Sequence, residues 1–256
     1  MKKLVSLLLI SMLLPVFCTG NEKLYLKKKK LQQGEKLEYI AEWGFLTLGS
    51  AETTVDKFLY RLGDNICYKI SAKAATNGIA GLFYLNDKWT AYIDTSTITT
   101  HRSYRSIREG RYEKDEIVYF RQKEKKALVS MYDKNLKKYT LRKTYNTPPE
   151  IRDYVAGFVL VRLIDFNRYK KGDTITISGF YEEKGYKINV VYAGKVLLKY
   201  DNKQYLCYKI IPQMPEKSAF VGENPVEIWI TADASQKIIR ARGKTFFGSF
   251  ILRLKD

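Results

Sequence analysis

The chain is expected to be mainly β, with two similar antiparallel sheet units, sandwich or open-barrel-like, packed around one central α-helix. Three observations carry this expectation. Short runs of alternating apolar and polar residues, rich in β-branched and aromatic types, recur from residue 34 to the C-terminus, which is the pattern of strands with one buried face. A single stretch breaks that pattern and repeats its apolar residues every three or four positions instead. And one fragment occurs twice. Asn65-Ile66-Cys67-Tyr68-Lys69-Ile70 reads against Gln204-Tyr205-Leu206-Cys207-Tyr208-Lys209-Ile210, and Trp89-Thr90-Ala91-Tyr92-Ile93-Asp94 against Trp229-Ile230-Thr231-Ala232-Asp233. The separations agree: 207 − 67 = 140, 229 − 89 = 140 and 233 − 94 = 139. Matched spacing over two landmarks indicates units of about a hundred residues each.

Residues 1–20 read as a signal peptide. Met1-Lys2-Lys3 is a basic start, and Leu4 to Phe17 is an apolar run of 14 residues. A bilayer span needs roughly 20 residues, so the run fits a secretory leader cleaved near Gly20. The rival reading is a lipoprotein acylated at Cys18. A lipobox wants a small residue before the cysteine, and Phe17 is large. The mature protein is therefore expected in the periplasm or cell envelope. Residues 21–33 form a basic tail. Its four adjacent lysines, Lys27, Lys28, Lys29 and Lys30, repel one another and should keep it exposed and mobile. They also offer peripheral contact with an anionic membrane.

Residues 34–146 make the first β unit. Leu37, Tyr39 and Ala41 alternate with Lys36, Glu38 and Ile40 and run into Trp43-Gly44. Further strands are expected over Leu46–Val55, Tyr68–Ala74, Trp89–Ile93, Thr95–Tyr104, Ile117–Gln122, Ala127–Tyr132 and Tyr139–Tyr145. Gly63-Asp64-Asn65, Asn86-Asp87, Glu109-Gly110 and Asp133-Lys134-Asn135 supply turn chemistry between them. Residues 147–168 hold the connecting helix. Thr147-Pro148-Pro149-Glu150 is a capping box with proline at the first helical position. Ile151, Tyr154, Val155, Phe158, Val159, Leu163 and Ile164 then recur at helical steps, which predicts a helix from Pro148 to Phe166 with a wide, buried apolar arc. Residues 169–256 form the second β unit, with strands over Thr174–Phe180, Tyr186–Tyr192, Lys195–Tyr200, Tyr205–Ile211, Val226–Thr231, Ile238–Lys244 and Phe247–Leu254. Met214 to Pro225 is a loop.

Several of these stretches together resemble the domain of unknown function 3108 family of exported bacterial proteins. They are Gly34-Glu35-Lys36-Leu37-Glu38-Tyr39 with Trp43-Gly44 and Gly49-Ser50-Ala51, the basic middle from Arg102 to Tyr112, and Asp153 to Arg162 of the helix. Cys207 to Pro212 and Ile228 to Asp233 complete the set. The resemblance covers most of the chain after residue 34 and implies a mainly β, secreted protein. It brings no catalytic residues. Gly157 departs from it, since glycine weakens a helix interior.

The formal net charge is +18, and loss of Lys2 and Lys3 with a leader leaves +16. Charge of this size speaks to partners and not to fold. Export points away from nucleic acid and toward envelope lipid, lipopolysaccharide or acidic glycan. Cys67 and Cys207 remain after the leader. An oxidising compartment permits a disulfide between them, and two free structural thiols is the other reading. In strand phase each cysteine lies opposite the more apolar face.

No catalytic constellation emerges. His101 is the one histidine, and no Gly-x-Ser-x-Gly elbow accompanies it. Two distant cysteines and one histidine do not make a zinc site, and Gly78-Ile79-Ala80-Gly81 is too short for a phosphate loop. No cofactor or metal is expected. Glu42, Glu52, Asp94 and Asp233 are the carboxylates available for glycan hydrolysis; an aspartate closing the tryptophan strand explains the last two as turn residues. The best binding surface is the series Arg102, Tyr104, Arg105, Arg108, Arg111 and Tyr112. Alternate residues of a hairpin would line one face with cations and rings suited to an anionic ligand. The chain therefore reads as a non-enzymatic binding, carrier or scaffold protein for an amphiphilic or anionic envelope component. The alternatives are a carboxylate-dependent hydrolase of cell-wall glycans and a structural partner of a surface protein assembly.

Overall fold

The structure, a computed structural model, describes residues 23–28, 30–76, 84–181, 183–213, 221, 224–246 and 248–255. The leader with Cys18, Lys29, the Gly78–Gly81 turn and most of the Met214–Pro225 loop lie outside the described residues. The first half contributes β1 (Lys36–Trp43), β2 (Leu46–Leu62), β3 (Asn65–Thr76), β4 (Asn86–Asp94), β5 (Thr100–Glu109), β6 (Tyr112–Arg121), β7 (Lys126–Asp133) and β8 (Lys138–Asn146). Then come α1 (Tyr154–Leu160), a 3-10 turn at Phe166–Arg168, and β9 (Thr174–Tyr181), β10 (Lys184–Tyr200), β11 (Lys203–Pro212), β12 (Val226–Thr231), β13 (Ile238–Thr245) and β14 (Gly248–Leu254).

All fourteen strands join in one antiparallel sheet, in the order β8-β7-β6-β5-β4-β3-β2-β1-β14-β13-β12-β11-β10-β9. Apart from β8 and β9, successive strands are paired neighbours, and several of the turns between them carry glycine in the left-handed region, such as Gly63 and Gly110, both at φ 59°. A single seam, Tyr39–Trp43 of β1 against Phe250–Leu254 of β14, joins the early strands to the late ones. The sheet curls until its edges meet through side chains. The Tyr145 ring of β8 lies edge-on to Phe180 of β9 at 6.1 Å, and its hydroxyl donates to Glu183.

The strand order repeats. β1 and β9, β2 and β10, and β3 and β11 each begin 138 residues apart (174 − 36, 184 − 46, 203 − 65). β1 and β9 both have 8 residues, and β2 and β10 both have 17. The tryptophans, by contrast, are not equivalent. Trp89 belongs to the main core, whereas Trp229 packs on the other face with Cys207, Tyr200 and Ile239. Register explains it: Lys69 stands opposite Tyr92, and Lys209 opposite Trp229. The counterpart of Trp229 is thus Tyr92, at 229 − 92 = 137 and not 140.

The helix is shorter than its sequence pattern, seven residues in place of Pro148–Phe166. Glu150 sits at φ 53° and cannot lie in a right-handed turn. Ile151 and Arg152 instead extend between β5 and β9: Thr100 N–H donates to the Ile151 carbonyl at 3.2 Å, and Phe180 N–H to that of Arg152 at 2.7 Å. The true N-cap is Asp153, whose carboxylate accepts from Ala156 N–H at 3.0 Å. The helix runs unbroken through Gly157, whose N–H donates to the Asp153 carbonyl at 2.9 Å. It buries Val155, Ala156, Val159 and Leu160 in the main core together with residues from strands of both halves. Beside it a cavity of about 30 Å³ remains, room for about one water.

Three other expectations change. The described part of the lysine-rich tail packs on the fold: Leu31 is buried, Leu26 bridges Ile164, and the Lys27 ammonium stands 5.9 Å above the Tyr208 ring. Thr95–Ile98 is a turn ahead of β5, because Asp94 binds its backbone. Asn86-Asp87 opens β4, with Asp87 opposite Ala74.

Candidate functional site

β5 and β6 form the hairpin that the arginine and tyrosine series pointed to, and the pleat divides the series between two faces. Arg105 turns inward. Its Nε lies 2.8 Å from Glu116, a wholly buried carboxylate that also binds Lys114 at 2.6 Å, and its Nη1 lies 3.3 Å from the Tyr154 hydroxyl. Arg108 is held by Asp115 at 2.7 Å and by the Ile107 carbonyl at 2.8 Å. Arg111 and Tyr112 lie at the hairpin tip, exposed. Arg102 and Tyr104 share the outer face. The Arg102 guanidinium stands 4.5 Å above the Tyr92 ring and 5.4 Å from that of Tyr104. Among the described residues no carboxylate pairs with Arg102, and its buried Nε has no hydrogen-bond partner. Beyond Tyr92 the row continues to Tyr60, edge-on at 5.5 Å, and to Lys69, 5.5 Å from the Tyr60 ring.

The second half carries the same row. Arg240 of β13 stands opposite Trp229 of β12, as Arg102 stands opposite Tyr92, and Lys209 lies beyond it as Lys69 does. The Arg240 guanidinium and Lys209 ammonium lie 5.5 and 5.2 Å from the Trp229 ring. Lys209 and Arg242 share Glu227. Among the described residues no carboxylate is ion-paired with Arg240, though Glu42 and Glu227 act on it at longer range, and its Nε too is buried without a hydrogen-bond partner. Burial, and then the neighbouring Arg242 guanidinium, lower its pKa. Sequence reasoning missed Lys209, Trp229 and Arg240 as a site, because matching the tryptophans displaced the comparison; a step of 138 residues sets Arg102 against Arg240.

Beneath each row lies a cysteine. Cys67 and Cys207 are both buried free thiols, so the bridge left open by the sequence is not formed. Burial, and then Asp94 or Asp233 respectively, pushes each thiol pKa up to about 11.

The carboxylates suggested for hydrolysis are engaged elsewhere. Glu42 binds Arg253 at 2.8 Å, and Glu52 binds Lys36 at 2.9 Å. Asp94 accepts from Ser96 and Thr97, and Asp233 likewise from Ser235 and Gln236. Burial works against the Asp94 carboxylate, but the Ser96 hydroxyl and the N–H groups of Thr97 and Ser96 outweigh it and hold its pKa low. His101 lies 3.7 Å from Asp94, and Ser96 donates to the same acid at 2.6 Å. The acid thus stands between serine and histidine, whereas a catalytic triad needs the histidine in the middle. Among the described residues no cluster of three or more His, Cys, Asp or Glu side chains is placed to hold a metal, and no helix is long and apolar enough to cross a membrane.

Among solved structures the chain is similar to the crystal structure of a beta-barrel-like protein of domain of unknown function DUF1849 from Brucella abortus. The two share 10% identity at a TM-score of 0.52, over 86% of this chain and 95% of that one. At that identity the likeness shows the fold alone. No curated protein matches the chain. The family model described as "Protein of unknown function (DUF3108)" matches residues 38–255, and the chain belongs to that family.

Proposed function

We propose that the protein is an exported, non-enzymatic envelope component that binds an anionic group on its outer sheet face. The observation that carries this reading is Arg102, a cation clamped between two tyrosine rings with no carboxylate among the described residues, next to hairpin arginines that are already neutralised. Guanidinium donors beside aromatic walls suit a phosphate, sulfate or carboxylate carried on a ring-bearing molecule. The repeated row at Arg240 supports it, and so does the reading of the chain as two related halves folded about α1. The filled core favours a surface binder over a carrier with an internal cavity.

Titration of the full chain with sulfated and uronic-acid oligosaccharides tests the proposal. Arg102→Gln is expected to weaken binding by roughly tenfold or more, the worth of one charge-assisted contact. Equal affinity of Arg102→Gln and the parent chain, or no binding to any of these probes, rejects the reading.

A further inference from the structure

In an antiparallel meander alternate turns fall at the same end of the sheet. At one end lie the β1–β2, β5–β6, β7–β8 and β13–β14 turns, with Tyr84 entering β4 beside them. These turns present large apolar side chains to water: Phe45 is 96% exposed, Phe246 85%, Leu136 57%, Tyr112 56%, Tyr84 53% and Leu46 51%. The opposite end is turned by Gly63-Asp64, Gln122–Lys125, Asp201-Asn202 and Ser235–Lys237, all polar or small. The other apolar residues more than half exposed, Phe58, Leu141 and Leu197, stand within strands and not at turn tips.

We infer that the apolar end is a membrane-docking surface for an anionic bilayer. Two near-fully exposed phenylalanines on adjoining hairpins are costly in water without an apolar partner. The β1–β14 seam sets their two hairpins side by side, with Gly44 N–H donating to the Ser249 carbonyl at 3.3 Å. Exposed basic residues, Arg111, Lys137, Lys138 and Lys184, stand at the same end of the sheet, on the β5–β6, β7–β8 and β9–β10 turns. Apolar tips with cations on other turns of the same end match a bilayer interface, where rings enter the acyl boundary and cations meet anionic headgroups. Each such cation strengthens binding roughly fivefold near an anionic surface. This surface is distinct from the Arg102 row, which lies on the sheet flank. It also differs in place from the lysine tail, whose Lys27 turns to Tyr208.

Site-specific labelling tests the inference. In a Cys18→Ser background, Phe45→Cys carries an environment-sensitive fluorophore at the apolar end and Asp64→Cys carries it at the polar end; Cys67 and Cys207 are buried and stay unlabelled. On vesicles containing phosphatidylglycerol, the Phe45 label is expected to shift to the blue and the Asp64 label to remain aqueous. Both labels shifting, or neither, overturns the inference. The double variant Phe45→Ser/Phe246→Ser of the full chain should partition into these vesicles at least about tenfold more weakly, and unchanged partitioning likewise overturns it. Arg102→Gln should leave partitioning as it is, which separates this surface from the anion site.

Discussion

Replacing Arg105 by glutamine should damage the fold, whereas the same change at Arg102, three residues away on the other face, should spare it. Arg105 has 12% of its side chain exposed, and its partner Glu116 has 0%. Breaking a buried ion pair from one side costs about 3–5 kcal/mol, because the remaining charge loses its compensation. Lys114 still holds Glu116 at 2.6 Å, so the lower limit, about 3 kcal/mol, is expected. With a urea dependence of about 2–3 kcal/mol per molar, the unfolding midpoint should fall by about 1 M or more. Arg102→Gln gives up only two partly exposed cation–ring contacts, about 1 kcal/mol together. Urea unfolding followed by tryptophan fluorescence measures both. The double variant Arg105→Gln/Glu116→Gln should recover part of the loss, because the buried carboxylate is then neutral and Lys114 keeps Glu183 at 3.9 Å. If the two arginine variants unfold within about 1 kcal/mol of each other, the assignment of inner and outer faces is wrong.

Burial, opposed by the Ala156 N–H and the Thr100 hydroxyl, raises the Asp153 pKa from 3.8 to about 6. The folded state then holds that proton more tightly than the unfolded chain, so its contribution is complete below pH 3.8 and is lost as pH rises through 6; Asp153→Asn should gain on the parent chain across this window, up to about 3 kcal/mol, in urea titrations at pH 4 and pH 7. Native Cys67 and Cys207 should resist alkylation and react only after unfolding, with mass spectrometry reporting two added groups; a persistent mass loss of two hydrogens would instead reveal a bridge. At Gly49 a Cβ would overlap the Ala75 carbonyl of the adjoining strand, so Gly49→Ala should destabilise by about 1–3 kcal/mol through forced backbone shift, read as a lower melting temperature.

The β architecture was legible because it rests on period-two alternation, which survives whatever the strands pack against. Tyr68 and Ile70 face the core and Cys67 and Lys69 do not, as their phase indicates. The helix was over-read, since Ile151, Leu163 and Ile164 are apolar at helical spacing but are buried in extended or turn backbone. Burial demands apolar residues without specifying the conformation that supplies them. The single sheet was hidden for a different reason. The β1–β14 seam joins residues more than two hundred positions apart, and no local pattern encodes that pairing. At the candidate site the residue types were legible and alternation sets Arg102 and Arg105 on opposite faces, but which of the two turns inward is decided by the long-range partners Glu116 and Tyr154, which no local pattern gives.

The two proposed surfaces constrain each other. Arg102 lies seven residues back along β5 from Glu109, which adjoins the apolar end. At the rise of an antiparallel strand this places its backbone about 23 Å along the strand from that end. A docked sheet stands on its turns, so Arg102 would lie well beyond the roughly 8–10 Å over which headgroup charge is felt at physiological ionic strength. Arg240, five residues back from Thr245, stands about 17 Å away by the same reckoning. A lipid phosphate in the docking bilayer therefore cannot serve either arginine. If both proposals hold, an anion bound at either arginine would stand off the membrane, as the acidic sugars of a surface glycan do. Oligosaccharide affinity that survives Phe45→Ser/Phe246→Ser, together with vesicle binding that survives Arg102→Gln, is the pattern this geometry requires; loss of both activities in either variant would merge the two surfaces into one.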